Sequence, residues 1–420
     1  MLTFIKNFNL FILLLFFLCY AYQIVYVFIC CFKKDRSLEH TPKKMHKFAI
    51  LISARNESAV IGELLQSIND QKYPKELLDV FVVADNCTDN TAEIARSYGA
   101  TVYERFNHQL VGKGYALDSA FSKIEETIGL EAYEGYMVFD ADNVLENNYV
   151  YEMNRTFDQG YRILTSYRNS KNYGSNWISA GYALWFLRES KYLNGARMRC
   201  NLSCTISGTG FLVSSDIIKR NGGWKHHLLT EDIEFSMDSV LHNEKIGYCE
   251  NAVLYDEQPV SFQTSWKQRM RWAKGFYQVT ANYGGQLLKK CIKDRSFICY
   301  DMLMTIAPAT LLTLATIIMN TTLAVVGIYS GREFIAEAAL LRVGENLYGI
   351  YLSLLFFGII TTITQWKRIY APMWKKILYI FTFPLYTFTY IPISIAALVK
   401  PVKWEPISHT ISKSVQEIRQ

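Results

Sequence analysis

A chain of 420 residues that is 50% hydrophobic exceeds one small domain, and its apolar excess lies in four long runs, which excludes a wholly water-soluble protein. The net charge of +6 does not point to nucleic acid, because much of the basic excess sits beside those runs, where lysine and arginine set membrane topology and touch anionic lipid. Nine cysteines form no CxxC pair and no metal-ligand spacing, so reduced thiols in a cytoplasmic or membrane setting are the simplest account.

The first run, Phe8 to Phe32, is free of charge and longer than the roughly 20 residues that cross a bilayer as a helix. It is too long for the apolar part of a cleaved leader, and no A-x-A-like site follows it. Lys33, Lys34 and Arg36 come next, then Lys43, Lys44 and Lys47. Residues 1–32 are therefore predicted to form a transmembrane anchor whose C-terminal end lies in the cytoplasm.

From Lys33 to Asp301 the composition is that of an ordinary globular domain. Residues 33–283 are predicted as a cytoplasmic domain and 284–301 as an interfacial segment. Lys47 to Ser53 has the length of a buried strand, and Ser58 to Gln71 places Ile61, Leu64, Leu65 and Ile68 at helical spacing. A second strand is predicted at Leu78 to Ala84. The helix after it has Asn90 and Glu93 placed as a capping box and Gly99 as its stop. A third strand, Ala100 to Glu104, a helix, Gly112 to Glu126, and a fourth strand, Tyr136 to Phe139, complete the pattern. Alternation of this kind predicts an α/β domain with a parallel sheet, whose ligand lies beyond the carboxyl ends of the strands.

The residues at those ends are acids and amides. Ala54-Arg55-Asn56-Glu57 follows the first strand, Asp85-Asn86-Cys87-Thr88-Asp89 the second, and Asp140-Ala141-Asp142 the fourth. A dinucleotide-binding Rossmann domain would need GxGxxG after the first strand, and that turn has no glycine. Asp85 suits a base or ribose contact, and Lys113, at a helix start, suits phosphate or base. Asp140 and Asp142 are spaced so that one turn can aim both at one site. With a diphosphate they would make a hard-oxygen cage for Mg²⁺ or Mn²⁺.

Thr230-Glu231-Asp232 opens an amphipathic segment. A carboxylate there can deprotonate an acceptor hydroxyl, or Asp232 can simply cap a helix. In Gln268-Arg269-Met270-Arg271-Trp272, an arginine can pair with a diphosphate and a tryptophan can stack on a sugar. The same segment also reads as an amphipathic helix with Trp266, Arg269 and Trp272 at the membrane surface.

Taken in order, ARNE, DNCTD, GKGYAL, DAD, SGTGF, TED and QRMRW resemble the processive branch of family 2 glycosyltransferases, which includes cellulose, chitin, hyaluronan and poly-N-acetylglucosamine synthases. The resemblance covers roughly Phe48 to Trp272. It implies a Rossmann-like GT-A glycosyltransferase domain inserted between transmembrane helices, and inverting transfer of a hexose or N-acetylhexosamine from a UDP-sugar to a growing β-linked polysaccharide. It further implies that Asp85 and Asp140 hold the nucleotide, that Glu57 and Lys113 line its pocket, and that Asp142 binds the metal. Asp232, beside Glu231, would be the catalytic base. Gln268, Arg271 and Trp272 would sit at the acceptor and pyrophosphate side, with Gly208 and Thr209 of Ser207–Phe211 in the acceptor wall. Trp404 to His409 (WEPISH) is similar to a tail segment that returns to the active site in several such synthases.

Residues 302–400 are predicted as a membrane region. It holds the runs Met302 to Gly331 and Asn346 to Trp366 and a third, Ile377 to Val399, interrupted by Pro384 and Pro392. The linker Gly331 to Glu345 has two Arg and three Glu, whereas Trp366 to Lys376 has four basic residues and no acid, so the second run should leave the cytoplasm and the third return. The last run either spans or re-enters, and the basic tail, residues 401–420, favours re-entry. Larger polymer synthases have more membrane helices. That difference leaves open a partner subunit, a homo-oligomer, or transfer to a membrane lipid or short acceptor. A membrane protein that binds a nucleotide-sugar without turning it over is the remaining alternative. Asn86-Cys87-Thr88 is a glycosylation sequon inside the expected nucleotide site, which fits a domain that faces the cytoplasm of a cell in its plasma membrane.

Overall fold

The computed structural model describes residues 1–33 and 40–420. Lys34 and Arg36, two of the basic residues behind the expected orientation, lie outside the described residues. Among the described residues, eight strands form one sheet: β1 (Phe48–Ala54), β2 (Leu78–Asp85), β3 (Thr101–Arg105), β4 (Gly135–Asp140), β5 (Val144–Leu145), β6 (Ile163–Ser170), β7 (Phe211–Ser214) and β8 (Ile246–Asp256). Their order is β3-β2-β1-β4-β7-β6-β8-β5. The first four pair in parallel, as the alternating pattern predicts. The other half corrects that expectation. β7 runs antiparallel to both β4 and β6, and β5 runs antiparallel to β8. An antiparallel neighbour needs no crossover helix, so these strands escape a βαβ reading.

β1 shows why the sheet is buried on both faces. Ala49 and Leu51 join the core around Phe121 and Ile124 of the helix Lys113–Thr127. Phe48, Ile50 and Ile52 join Leu64, Leu65 and Ile68 of the helix Ile61–Asn69 on the other face. Side chains alternate across a strand, and each fully buried aliphatic contributes about 1.5–3 kcal/mol.

The helix Thr91–Ser97 forms where predicted, and Gly99, at φ 86°, lies just past its end. The predicted capping box does not form, since the Asn90 side chain makes no cap bond. Asp89 acts instead, accepting from the Thr91 N–H at 3.1 Å and the Thr91 hydroxyl at 2.5 Å. Gly114 lets the helix Lys113–Thr127 approach the chain at His226, because a Cβ there would meet the His226 carbonyl oxygen at 2.2 Å. Gly114→Ala is expected to cost about 1–3 kcal/mol through overpacking, visible as a lowered unfolding temperature in detergent. An unchanged melt would contradict this packing.

Among the described residues, four helical segments are long and apolar enough to cross a membrane: Leu2–Phe32, Leu311–Tyr329, Glu333–Thr364 and Met373–Val399. Three details differ from the hydropathy runs. The run from Met302 is broken, because Phe297–Ile306 is a separate helix packed on Ile233, Met237 and Val279, and a new helix starts at Pro308. Proline lacks the N–H that a continuous helix would use but suits a first turn. The linker expected before Asn346 is mostly helical, since that helix begins at Glu333. One helix, Phe262–Lys293, runs through the expected division at 283/284.

The last apolar segment comprises Met373–Phe388 and Tyr390–Val399. Both halves lie against the sheet domain. Lys375 Nζ donates to the Gly174 carbonyl at 2.6 Å, Arg269 Nη1 to the Tyr386 carbonyl at 3.1 Å, and the Tyr277 hydroxyl to the Ser394 carbonyl at 3.1 Å.

Candidate active site

Parallel register brings the ends of β1, β2 and β4 together: Ala54 pairs with Ala84, and Ser53 with Asp140. A cavity of about 1060 Å³ opens at this edge and continues between the membrane helices. Asp85, Asp142 and Asp232, distant in sequence, all line it.

On one side of the cavity, Asp85 is buried, and its carboxylate accepts from Arg105 Nη1 at 2.5 Å and Asn86 Nδ2 at 3.0 Å. The sequon residue Asn86 is itself buried, with its amide also donating to the Asn107 carbonyl. Lys113 Nζ donates to Asp140 Oδ1 at 2.5 Å and to the Gly208 carbonyl at 2.8 Å. Glu57 is buried beside them, its carboxylate 3.0 and 3.1 Å from His409 Nδ1. Burial pushes the Glu57 carboxyl above its usual range, and His409 partly offsets this.

Asp142 accepts from the Glu257 N–H at 2.8 Å through one oxygen, and its other oxygen has only the Asn143 amide at 3.3 Å. Burial alone would raise its pKa, but His409, Lys171, the Glu257 N–H and Arg168 outweigh that and hold it low. An ionised carboxylate with one loosely held oxygen is a hard-oxygen ligand that fits a divalent ion shared with a diphosphate. Among the described residues no group of three His, Cys, Asp or Glu side chains could hold an ion unaided, so such an ion would need the diphosphate oxygens.

Across the cavity, Glu231 and Asp232 open the helix Glu231–Leu241. Thr230 occupies the N-cap position, so Asp232 is not the cap. Its Oδ2 accepts from the Gly208 N–H at 2.6 Å. Burial raises its pKa, with the Ile233 and Gly208 N–H groups and Lys113 acting against the rise. Burial and then the Asp232 charge push Glu231 up to about 8.

Gln268, Arg271 and Trp272 line the same space. Gln268 Oε1, Arg271 Nε and Arg55 Nη1 are buried polar atoms without a partner among the described residues, an arrangement that costs about 1–3 kcal/mol each until a ligand satisfies them. Trp272 packs edge-on to Tyr182 and Phe186. Arg269 departs from the membrane-surface reading. It is fully buried and holds the Tyr386 carbonyl and the Thr389 hydroxyl. Thr209 also departs from expectation. Its hydroxyl donates to Asn143 Oδ1 at 2.5 Å and accepts from the Asp140 N–H, so it supports the acidic turn from behind, whereas Gly208 lines the cavity.

The tail does return. Trp404 lies over Arg55 and Arg271, Glu405 pairs with Lys267, and the Thr410 and Ile411 N–H groups donate to Glu257. Burial opposes a charge on His409, but Asp142, Glu57 and Glu257 lift its pKa to about 10. Arg168, paired with Asp256, and Lys171 and Glu257 add charges that motif reading missed. Asp256 and Glu257 stand at the end of β8, so the strand-end rule reaches them once that strand is known.

Residues 46–275 match the family model described as "Glycosyltransferase like family 2". The probable glycosyltransferase YdaM of Bacillus subtilis is 27% identical over 269 residues, 59% of each chain. A poly-beta-1,6-N-acetyl-D-glucosamine synthase of Staphylococcus epidermidis is 28% identical over 268 residues, 61% of each chain. A beta-monoglucosyldiacylglycerol synthase of a Nostoc species is 27% identical over 268 residues, 61% of this chain and 54% of the relative. The matched stretch thus spans about three-fifths of the length of these relatives. The mannosyltransferase PcManGT of Pyrobaculum calidifontis, solved with GDP-Man and Mn²⁺, shares the fold with a TM-score of 0.53 at 15% identity, over 93% of this chain and 99% of its own. The family model covers more than half of the chain and encloses every strand and both sides of the acidic pocket, so this chain belongs to glycosyltransferase family 2.

Proposed function

We propose that the chain is an inverting, metal-dependent transferase that moves a hexose or N-acetylhexosamine from a UDP-sugar to an acceptor hydroxyl, leaving a β linkage. One observation carries the reading: a single cavity joins the acids at the strand ends, the unpartnered Arg55 and Arg271 nitrogens and the Asp232 carboxylate. Asp85 would contact the base or ribose, with Asp140 and Glu57 lining the same cavity. Lys113 and Arg271 bring positive charge to the diphosphate. Asp142 would hold Mg²⁺ or Mn²⁺, which supplies charge to stabilise the departing diphosphate.

Asp232 takes the proton of the acceptor hydroxyl as that oxygen attacks the anomeric carbon. The bond to UDP breaks on the opposite face, so an α-linked donor gives a β-linked product. The Gly208 N–H orients one Asp232 oxygen and leaves the other for the hydroxyl. Gln268 and Trp272 border the acceptor side. The domain is placed on the cytoplasmic face of the plasma membrane, where nucleotide-sugars are made available, with Met373–Val399 re-entering rather than crossing.

Two acceptor classes suit this chemistry. The order of motifs favours a growing β-linked polysaccharide, the product named for the staphylococcal relative. The apolar walls between the membrane helices favour a single transfer to a lipid, the product class named for the Nostoc relative. Purified protein offered a panel of UDP-sugars is expected to release UDP from a subset of them. A chelator is expected to stop release, and Mn²⁺ or Mg²⁺ to restore it, with Asp142→Asn weakening Mn²⁺ binding measured by electron paramagnetic resonance. Release that ignores the chelator would remove Asp142 as a metal ligand. No release from any donor would leave a binding protein without turnover.

A further inference from the structure

We propose that the part of the cavity enclosed by the membrane helices holds the hydrocarbon chain of a lipid acceptor, with its polar head at Arg188 and a head-group hydroxyl at Asp232. The proposal rests on the transferase reading and names its acceptor. Three observations carry it.

The first is continuity. The cavity that contains Asp232 is also lined by Lys6 and Tyr20 of the helix Leu2–Tyr20. The rise between those two residues is about 21 Å, longer than one leaflet's share, about 15 Å, of a bilayer's hydrocarbon core.

The second is the chemistry of the walls. Leu13, Phe16, Leu312, Ile317, Ile350 and Leu354 face this space. The polar side chains on the same walls are largely engaged already, Thr313 and Thr316 with helix carbonyls and Asn9 with Asn320 and Asn346. A glycan threaded here would therefore give up water at its ring hydroxyls for few free partners, at a cost of about 1–3 kcal/mol for each group left bare. A hydrocarbon chain gives up nothing and buries apolar surface.

The third is the neck. Arg188, at the end of the helix Trp177–Arg188, lines the cavity between Gln23 of the first membrane segment, which it contacts, and Glu189, which accepts from Ser207 at the active-site end. Its Nη2 donates to Gln23 at 2.6 Å, and its guanidinium lies over the Trp185 and Phe357 rings. Among the described residues no carboxylate lies within ion-pair distance of it. Burial pushes its pKa down to about 10, and the charge of the adjacent Glu189, which makes no ion pair with it, only partly offsets this. A phosphate or hydroxyl-rich head group in the neck would supply the missing acceptors.

Two chamber variants test this. A side chain at Gly349 would meet nothing within 4 Å, so Gly349→Phe fills the chamber without a clash at its Cβ, and Ile350→Trp narrows it. Membranes supplied with radiolabelled UDP-sugar are expected to place label in the chloroform–methanol extract. Both variants should lower that label about tenfold, with UDP binding to the purified chains changed less than about twofold. Loss of UDP release in the parent chain would strike the transferase reading itself. Intact UDP release with all label in an aqueous polymer would overturn the lipid alone. Unchanged lipid label in both variants would also overturn it. A second measurement needs no variant to fold. Phosphatidylglycerol with a diazirine in its acyl chain, in phosphatidylcholine vesicles, should crosslink to Leu312 and Ile350, and labelling confined to outward residues such as Phe11 and Leu18 would sink the proposal.

Discussion

Asp232→Asn is expected to lower turnover by about 10²- to 10⁴-fold while UDP binding stays within about twofold, the loss associated with removing a general base. The substitution keeps the shape of the side chain, and an amide oxygen can still accept from the Gly208 N–H that Asp232 holds at 2.6 Å. Only the ability to take a proton is removed. The pH profile gives a second readout. Burial raises the Asp232 pKa above the ordinary carboxylate range. A base must be ionised, so activity should be full above that raised pKa and fall as pH drops through it. The acidic limb should therefore lie higher than a solvent-exposed aspartate would give. Burial and the Asp232 charge raise its neighbour Glu231, so Asp232 is the member of the pair that ionises first. Comparable turnover by the parent and Asp232→Asn, measured as UDP release at saturating donor, would take the base role away from Asp232. A matching loss of UDP binding would make it a structural residue instead.

Much of the candidate site was legible because its carboxylates fall directly after buried strands whose period is plain. Glu57, Asp85, Asp140 and Asp142 needed only the rule that open α/β sheets bind ligand at their carboxyl edge. Asp256 and Glu257 obey the same rule but were missed. β8 carries Glu250 and Asn251 in its interior, and its register with β6 slips between Ser166 and Tyr167, so apolar alternation is interrupted where the strand should be most visible. Helix ends were legible to within a few residues, but not which side chain caps them. Asn90 and Asp89 are both good caps, and the choice fell to the one whose carboxylate also holds the Ser58 N–H. Hydropathy located the membrane runs but not the break before Pro308, since an apolar residue looks the same facing lipid or facing Met237. The contact of His409 with Glu57 joins positions 352 apart, and no local pattern encodes it.

Asp301→Asn is expected to destabilise the protein by about 3–5 kcal/mol, because it leaves a buried guanidinium without its counter-charge. Arg197 and Asp301 are each 1% exposed and pair through two bonds of 2.8 Å. Arg197 adds the Thr205 and Thr305 hydroxyls. The carboxylate also accepts from the Tyr22 and Tyr26 hydroxyls at 2.8 and 2.9 Å. Three separate pieces of chain meet here: the N-terminal helix Tyr22–Phe32, the short helix Gly195–Arg199 of the sheet domain, and Phe297–Ile306. The pair fixes how the first membrane helix sits on the catalytic domain, which matters because both line the same cavity. Desolvation makes such a pair a poor net stabiliser beside an apolar replacement, so Arg197→Met combined with Asp301→Leu should recover part of the loss, the rest staying with the Tyr22 and Tyr26 hydroxyls that lose their acceptor, while either single change should not. Tyr26→Phe should cost less, about 1.5–3 kcal/mol, as one bond to a charged group is lost. The half-life of UDP release at a fixed elevated temperature reads out these differences even where unfolding is irreversible. If Asp301→Asn survived heating as long as the parent, Arg197 would have another counter-charge, and the anchoring of the first helix would have to reside in its apolar contacts alone.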